Sequence, residues 1–335
     1  MGAGIAQVAA VAGHPVIVYD AAEGAAARAV AAVRDRVARL VQKGRLEGPV
    51  DLRLEVAGEL GELARAACVI EAVAEDLAVK QALFADLEKV VAPDCVLATN
   101  TSSLSPTAIA AGLSHPGRLV GLHFFNPAPV MRLVEVVSGL ATDPAVAAAV
   151  TTLAQDWGKQ VVQASATPGF IVNRVARPFY AEALRLAEER VASPATIDAV
   201  LTQAGGFRMG PFALMDLVGQ DVNEAVTRSV WTAFGYDPRF APSLLQRAMV
   251  EAGWLGRKTG RGWFRYGDDA EPSQPDAAPA RSAPRGTSPN LPMLRTLSRT
   301  VLDSPRETRS GSTDLATASS GRIAACASAP ATAAR

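Results

Sequence analysis

The sequence predicts an α/β fold in which a doubly wound sheet is followed by an all-α domain and a disordered tail. Short apolar runs of strand length alternate with helical patterns up to about residue 165, as in doubly wound proteins. From residue 166 to about residue 267 the pattern is helical. Residues 268–335 contain no aromatic residue and no Lys, and Pro, Ser, Ala and Arg dominate. We expect disorder there, because such a segment buries too little apolar surface to offset its ordering entropy.

Composition narrows the class of protein. The 335 residues allow two domains, and 33 basic residues balance 33 acidic ones, so no net field favours nucleic acid or an anionic membrane. Cys68, Cys95 and Cys326 are too widely spaced for a zinc site or a disulfide framework. There is no transmembrane run, and the first residues lack the basic region of a signal peptide. We therefore expect a cytoplasmic protein.

The N-terminal residues match the second half of a dinucleotide-binding βαβ unit. A helix of small residues ends at Gly13 and precedes a buried strand, Val16–Asp20. Gly2 takes the place of the third glycine of G-x-G-x-x-G, which allows close packing of helix on strand. The strand and the two glycines that would precede it lie before residue 1. The sequence thus predicts a Rossmann-like sheet whose first strand is missing.

Asp20 is a candidate cofactor ligand. A carboxylate at the end of the second strand of such a unit bonds the adenine ribose and repels a 2′-phosphate, which favours NAD over NADP. The alternative is an ordinary turn residue at a strand end.

The next elements place polar groups at the carboxyl ends of two further strands. Helical residues 21–42 precede Lys43, which is typical of a solvated helix end. After the strand Cys68–Val73, Glu75 lies at the start of a helix, where acids also complement the helix dipole. After the strand Cys95–Thr99 comes Asn-Thr-Ser-Ser, where α/β proteins bind ligands. The Ser-Pro that follows is a helix start in its own right.

His123 and Glu135 are candidates for acid–base chemistry. His123 follows a strand-like run, and Glu135 lies within a second run, Arg132–Val137, after an Asn-Pro, Ala-Pro turn cluster. Strands joined by a short turn would bring the two side chains together. A carboxylate beside an imidazole fixes its tautomer and stabilises its cation, which suits a general base. The alternative is a core histidine and an unrelated edge glutamate.

The helical half begins after Pro168-Gly169. We expect a helix from Phe170 to Glu189 with a kink at Pro178, and further helices starting at Ser193-Pro194 and at Pro211. The predicted domains are 1–165, 166–267 and 268–335.

Several of these motifs, in this order, resemble the L-3-hydroxyacyl-CoA dehydrogenase family, of the 3-hydroxybutyryl-CoA or 3-hydroxyadipyl-CoA type. The resemblance runs from Met1 to about Tyr266. It is carried by His-Phe-Phe-Asn-Pro with Leu-Val-Glu, by Val-Ile-Glu-Ala-Val-x-Glu-Asp-x-x-x-Lys, by Asn-Thr-Ser-Ser and by Pro-Gly-Phe-Ile-Val-Asn-Arg.

The resemblance implies oxidation of a (3S)-3-hydroxyacyl-CoA by NAD, in fatty-acid β-oxidation or phenylacetate degradation, without a metal. It implies a catalytic base, His123, with its partner Glu135, and two groups that hold the substrate oxygen, Ser102 and Asn173. It further implies cofactor contacts at Gly2, Asp20, Glu75, Lys80 and Asn100, and a CoA contact at Lys43. A homodimer through the helical domain is expected.

Two rival functions follow from the same residues. Without the phosphate-binding turn, the chain would be an inactive family member that no longer binds NAD, and the two strands beside the missing one would be left unpaired and unstable. A dehydrogenase of related fold that acts on a non-CoA hydroxy acid is the second rival.

Overall fold

The fold is that of a computed structural model, which describes residues 1–47, 50–267, 274–276 and 323–327. An eight-stranded sheet with helices on both faces is followed by a helical domain. The sheet region contains α1 (Gly2–Val11), β1 (Val16–Asp20), α2 (Ala25–Gln42), β2 (Leu54–Val56), β3 (Cys68–Ala72), α3 (Leu77–Val90), β4 (Val96–Thr99), α4 (Pro106–Ala110), β5 (Leu119–Phe124), β6 (Leu133–Ser138), α5 (Pro144–Asp156) and β7 (Gln160–Ser165). The helical domain contains α6 (Val172–Glu188), α7 (Pro194–Gln203), α8 (Pro211–Val218), α9 (Gln220–Ala233) and α10 (Leu244–Glu251), and β8 (Ile323–Ala327) returns to the sheet.

The strand order is β2-β1-β8-β3-β4-β5-β6-β7. Every neighbouring pair is parallel except β5 and β6, which are antiparallel. The carboxyl ends of β1, β3, β4 and β5 therefore meet at one edge of the sheet, where ligands of doubly wound sheets bind. The predicted Rossmann-like sheet followed by a helical domain is confirmed.

The centre of the sheet differs from the expectation of a missing strand. β8 lies between β1 and β3, and each of its five residues has a parallel register partner on both sides. The Ile323 amide donates to the Pro15 carbonyl at 2.9 Å, and Ile323 and Ala324 are buried. Within the predicted tail, residues 323–327 thus form a strand. Apart from residues 274–276, the rest of that tail lies outside the described residues.

The composition of residues 268–335, taken together, does not indicate this strand. An Ile-Ala-Ala-Cys-Ala run contains no Pro and no charge, so it can lie between two strands that would otherwise leave buried backbone groups unpaired.

Two apolar layers hold the sheet between its helices. On one face, α2 packs through Ala26, Val30, Val33 and Val37, which recur at helical spacing. On the other face, Phe84 and Leu87 of α3 are completely buried. These layers fix the sheet edge on which the polar side chains are displayed.

A buried carboxylate, Asp216 of α8, closes the helical domain. It accepts hydrogen bonds from the amides of Trp263 and Phe264, at 3.0 and 2.9 Å, and from the Tyr266 hydroxyl. A Cβ on Gly262 would lie 2.0 Å from an Asp216 oxygen. The second glycine of the Gly-Arg-Gly-Trp sequence, Gly262, is therefore required by this close approach. Burial and the hydrogen bond to Asp216 raise the pKa of Tyr266 to about 12.

Candidate active site

The His123–Glu135 pair forms the centre of the candidate site. The two residues are direct register partners across the antiparallel strands β5 and β6. His123 Nδ1 lies 2.7 Å from Glu135 Oε2, and both side chains are buried, at 5% and 1% exposure. Because a carboxylate only accepts, Nδ1 carries the proton and Nε2 keeps its lone pair for another partner. The structure thus brings together the two residues that the sequence paired.

Glu135 also binds the start of the helical domain. Its second oxygen, Oε1, accepts the amides of Ile171 and Val172 at 3.1 and 2.9 Å. These N–H groups belong to the first turn of α6, where a negative charge is favoured by the helix dipole. One carboxylate therefore orients the imidazole and fastens α6 against the sheet.

Two aromatic rings enclose the imidazole. The Phe125 ring centroid lies 4.5 Å from that of His123, and the Phe170 ring meets it edge-on at 5.7 Å. Phe170 is buried and has a φ of +49°, a conformation that costs a residue other than glycine about 1–2 kcal/mol. The sequence analysis did not identify the role of either ring. The one available signal was the position of Phe170 directly after Pro168-Gly169, where the helical domain begins.

Lys159 is a further residue of the site that the sequence analysis did not identify. Its ammonium donates to the carbonyls of Ala128 and Met131, at 2.6 and 2.9 Å, and so holds the turn between β5 and β6. Burial lowers the pKa of Lys159. The sequence offered no signal for this role, because a Lys after a helix is ordinarily solvated.

The loop after β4 carries Ser102, and several of its N–H and O–H groups donate to one carboxylate oxygen of Glu75. Glu75 Oε1 accepts the amides of Ser102 and Ser103, at 2.8 and 2.9 Å, and the hydroxyls of Thr101, Ser102 and Ser103. Burial by itself would raise the pKa of Glu75, but the Lys80 ammonium and these hydrogen bonds outweigh it and hold the pKa below its usual value.

Asn100 and Asn173 join this loop to the neighbouring elements. Asn100 Oδ1 accepts the amide of Phe124, directly after His123, at 2.9 Å. Asn173, in the first turn of α6, donates from Nδ2 to the Ser102 carbonyl at 3.3 Å. Residues that the sequence placed in three separate motifs therefore meet around the carboxyl ends of β4 and β5.

Other predicted residues lie apart from the His123 pair. Gly2 is buried in the first turn of α1, and Asp20 ends β1, with its side chain accepting the Ala22 amide at 2.9 Å. Lys80 is only 1% exposed and donates to Glu71 at 2.5 Å. Lys43 is exposed at the end of α2.

The residues at the carboxyl edge of β1, β3 and β4 fit a dinucleotide. The N-terminus of α1 has no side-chain cap, so its first N–H groups are open to an anion such as a pyrophosphate. Asp20 and Glu75 lie at the ends of two strands, where carboxylates could accept hydrogen bonds from ribose hydroxyls.

The described residues carry neither a metal-binding cluster nor a membrane-spanning helix. They contain no cluster of three His, Cys, Asp or Glu side chains that could hold a metal ion. No helix among those residues is long and apolar enough to cross a membrane.

Comparison with known proteins gives two family matches. Residues 1–167 match the NAD-binding domain of 3-hydroxyacyl-CoA dehydrogenase, and residues 169–266 match its C-terminal domain.

Individual relatives agree with this match. The chain is 52% identical, over 81% of its length, to 3-hydroxyadipyl-CoA dehydrogenase of Escherichia coli, and it spans 58% of that protein. It is 42% identical to a probable 3-hydroxybutyryl-CoA dehydrogenase of Bacillus subtilis, of which it spans 94%. A crystal structure of (S)-3-hydroxybutyryl-CoA dehydrogenase from Ralstonia eutropha aligns with a TM-score of 0.76 and 39% identity, covering 80% of this chain and 95% of that one.

Proposed function

Because the chain belongs to the 3-hydroxyacyl-CoA dehydrogenase family, we propose that it oxidises a (3S)-3-hydroxyacyl-CoA to the 3-oxoacyl-CoA with NAD. The observation that carries this proposal is the buried His123–Glu135 pair at 2.7 Å, beside the loop that bears Ser102. Oxidation of a secondary alcohol needs a base for the hydroxyl proton, and this pair leaves one imidazole nitrogen open to accept it.

His123 is the base of the proposed reaction. Its Nε2 takes the proton of the substrate hydroxyl, while Nδ1 keeps its hydrogen bond to Glu135. The positive charge that forms on the ring is stabilised by the adjacent carboxylate. Bound NAD would supply the acceptor for the hydride that leaves the substrate carbon. Such a positioned base accelerates a reaction by about 10²–10⁴-fold.

Ser102 and Asn173 hold the reacting oxygen in this proposal. The hydrogen bond from Asn173 to the Ser102 carbonyl supports it, because it brings the two side chains to one place. Phe125 and Phe170 exclude water from the imidazole, which strengthens its interaction with Glu135. Asn100, bonded to the amide of Phe124, maintains the spacing of the β4 loop and β5.

The cofactor and CoA are assigned to the two sides of α1. On the cofactor side, Gly2 lets α1 pack closely, Asp20 binds the adenine ribose, and Glu75, Lys80 and Asn100 surround the nicotinamide ribose. On the other side, a cavity of about 380 Å³ lies between α1, α2 and the turn after β5 and includes the cationic Arg36. Its charge suits a phosphate of CoA, and Lys43 at the end of α2 is a further CoA contact.

The substrate class follows the relatives. We propose 3-hydroxybutyryl-CoA or 3-hydroxyadipyl-CoA as substrate, in fatty-acid β-oxidation or phenylacetate degradation in the cytoplasm.

Activity is tested by NADH formation with (3S)- and (3R)-3-hydroxybutyryl-CoA, (3S)-3-hydroxyadipyl-CoA and free 3-hydroxybutyrate. Turnover of a (3S)-CoA ester alone supports the proposal. Turnover of the free acid alone would select the non-CoA rival, and absence of NAD binding would select the inactive one.

We also propose a homodimer formed through the helical domain. Several large apolar side chains of this domain are exposed, among them Val200, Phe207, Leu217, Val218 and Val222. These side chains give the helical domain apolar surface that a dimer interface would bury. Light scattering at micromolar concentration should give twice the chain mass of 34.8 kDa, and a monomer would refute the dimer.

A further inference from the structure

A completely buried ion pair, formed by Glu71 and Lys80, lies behind the Ser102 loop, and Glu71 has no role in the function proposed above. Glu71, at 0% exposure, is in β3, and Lys80, at 1%, is in the first turn of α3. Lys80 Nζ donates to Glu71 Oε1 at 2.5 Å, and that oxygen also accepts the Val73 amide at 2.6 Å. The Thr99 hydroxyl donates to the other oxygen, Oε2, at 2.6 Å.

Stability alone does not account for such a pair. Removing two charges from water costs several kcal/mol for each ion, and an apolar pair of similar volume is often equally or more stable. Both Glu71 oxygens are engaged by three donors, which come from the residue directly after β3, from β4 and from α3, so the position of Glu71 is strongly determined. The pair is therefore suited to fixing the position of a neighbour.

The neighbour is Glu75. Lys80 Nζ lies 3.5 Å from Glu75 Oε2, so the ammonium stands between two carboxylates. The other Glu75 oxygen, Oε1, accepts the amides of Ser102 and Ser103. A continuous series of charge and hydrogen-bond contacts thus runs from Glu71 through Lys80 and Glu75 to the backbone of Ser102.

We propose that Glu71 is a positioning residue that holds Lys80, so that Glu75 keeps the Ser102 loop in place for the substrate oxygen. The inference rests on the proposed function of Ser102 and adds a residue to it. The Ser102 hydroxyl also donates to Glu75 Oε1, at 3.1 Å, but the amides of Ser102 and Ser103 keep the loop on Glu75 when that hydroxyl turns toward a substrate.

The variant Glu71→Gln tests this role. Its amide oxygen can still accept from the Lys80 ammonium, but the side chain no longer carries the negative charge that balances it, and the ammonium is left with Glu75 as its carboxylate partner. Lys80 shifts toward Glu75 and competes with the amides of Ser102 and Ser103. Misplacement of a substrate-positioning group by about 1 Å costs up to roughly 10²-fold in rate, and we expect a 10- to 100-fold fall in kcat/KM.

The matched control is Glu88→Gln. Glu88 also lies on α3 and also accepts two loop amides, those of Ser114 and His115 at 2.7 and 2.9 Å, but it is remote from the Ser102 loop. This variant should lose thermal stability. Its kcat/KM, calculated with the concentration of NADH-binding sites as the enzyme concentration, should stay at the wild-type value.

A double-mutant cycle with Ser102→Ala separates positioning from general damage. If Glu71 acts through Ser102, Glu71→Gln should change kcat/KM less than about twofold in the Ser102→Ala background, because the two effects are coupled. If the two losses multiply, the residues act independently and the proposal is wrong.

Hydrogen exchange gives a readout that needs no turnover. Amides of Ser102 and Ser103 should exchange at least about tenfold faster in Glu71→Gln and remain unchanged in Glu88→Gln. If the wild-type chain oxidises no hydroxyacyl-CoA, the proposed function fails, yet exchange at these amides still decides the role of Glu71.

Should Glu71→Gln fail to fold, Glu71→Leu combined with Lys80→Met replaces the pair by apolar side chains and should fold. Exchange at Ser102 and Ser103 must also rise in this variant. Wild-type protection in a folded variant would overturn the proposal.

Discussion

The hairpin of β5 and β6 and the centre of the sheet are built on different principles. In the hairpin, His123 and Glu135 lie 12 residues apart and face each other because a short turn sets the register of their strands. At the centre, β1 and β3 are separated by β8, which comes from the opposite end of the chain. The first pairing follows from local sequence, whereas the second follows only from the need of two parallel strands for a partner.

Contacts in the hairpin depend on side chains, whereas contacts at the centre of the sheet depend on the backbone. The hairpin requires a His and a Glu at fixed positions. The central position requires unpaired N–H and C=O groups to be satisfied by an apolar strand, and the short Ile-Ala-Ala-Cys-Ala run does so at both edges. The entropic cost of closing a loop grows only slowly with the number of residues in it, so a segment distant in sequence can fill the central position of the sheet.

The largest effect is expected from removal of β8. A chain shortened by residues 323–335 should lose cooperative thermal unfolding and NAD binding, because each unpaired buried group costs about 1–3 kcal/mol against a net stability of about 5–15 kcal/mol. The matched control lacks only residues 328–335 and keeps β8. Circular dichroism melting with and without NAD compares the two. Equal melting curves would show that β8 does not support the sheet.

A smaller effect is expected at the end of β1. Asp20→Ala should weaken NAD binding roughly 10-fold or more, since a hydrogen bond to a charged group contributes about 1.5–3 kcal/mol, and should relax the preference against NADP. Calorimetric titration with each cofactor measures both changes. The exposed Glu23, three residues later, gives the control Glu23→Ala. Unchanged affinities for both cofactors would reduce Asp20 to a turn residue.

The smallest effect concerns the acid sensitivity of Glu75. The pKa of Glu75 lies below its usual value in the folded protein, so its contribution to stability is complete above the unfolded pKa, about 4.3, and is lost as the pH falls toward the folded pKa. Its side chain is 35% exposed, so solvent screening keeps this contribution small, below about 1 kcal/mol. Urea unfolding across this range should show a shallower loss for Glu75→Gln than for the wild type. An identical pH dependence would contradict the assignment.

Sequence alone predicted the elements of the sheet and helical domain because their periodicity is strong. The strand Val16–Asp20 was predicted with its observed bounds. The proximity of His123 to Glu135 was also accessible, since both lie on strands joined by a short turn.

The rest of the site depends on long-range packing. Nothing local indicates that Glu75 gathers the Ser102 loop, that Phe170 adopts a positive φ against the imidazole, or that Glu135 accepts amides of α6. β8 was not predicted, because a five-residue run inside a polar segment forms a strand only when two neighbouring strands pair with it.

The most direct test of the account is the steady-state turnover of His123→Gln with NAD and a (3S)-3-hydroxyacyl-CoA. We expect kcat to fall by about 10²–10⁴-fold, while NAD affinity by calorimetric titration stays at the wild-type value. Glutamine keeps a polar side chain beside Glu135 but cannot accept and hold the substrate proton. Turnover near the wild-type rate would remove His123 from the mechanism and contradict the account.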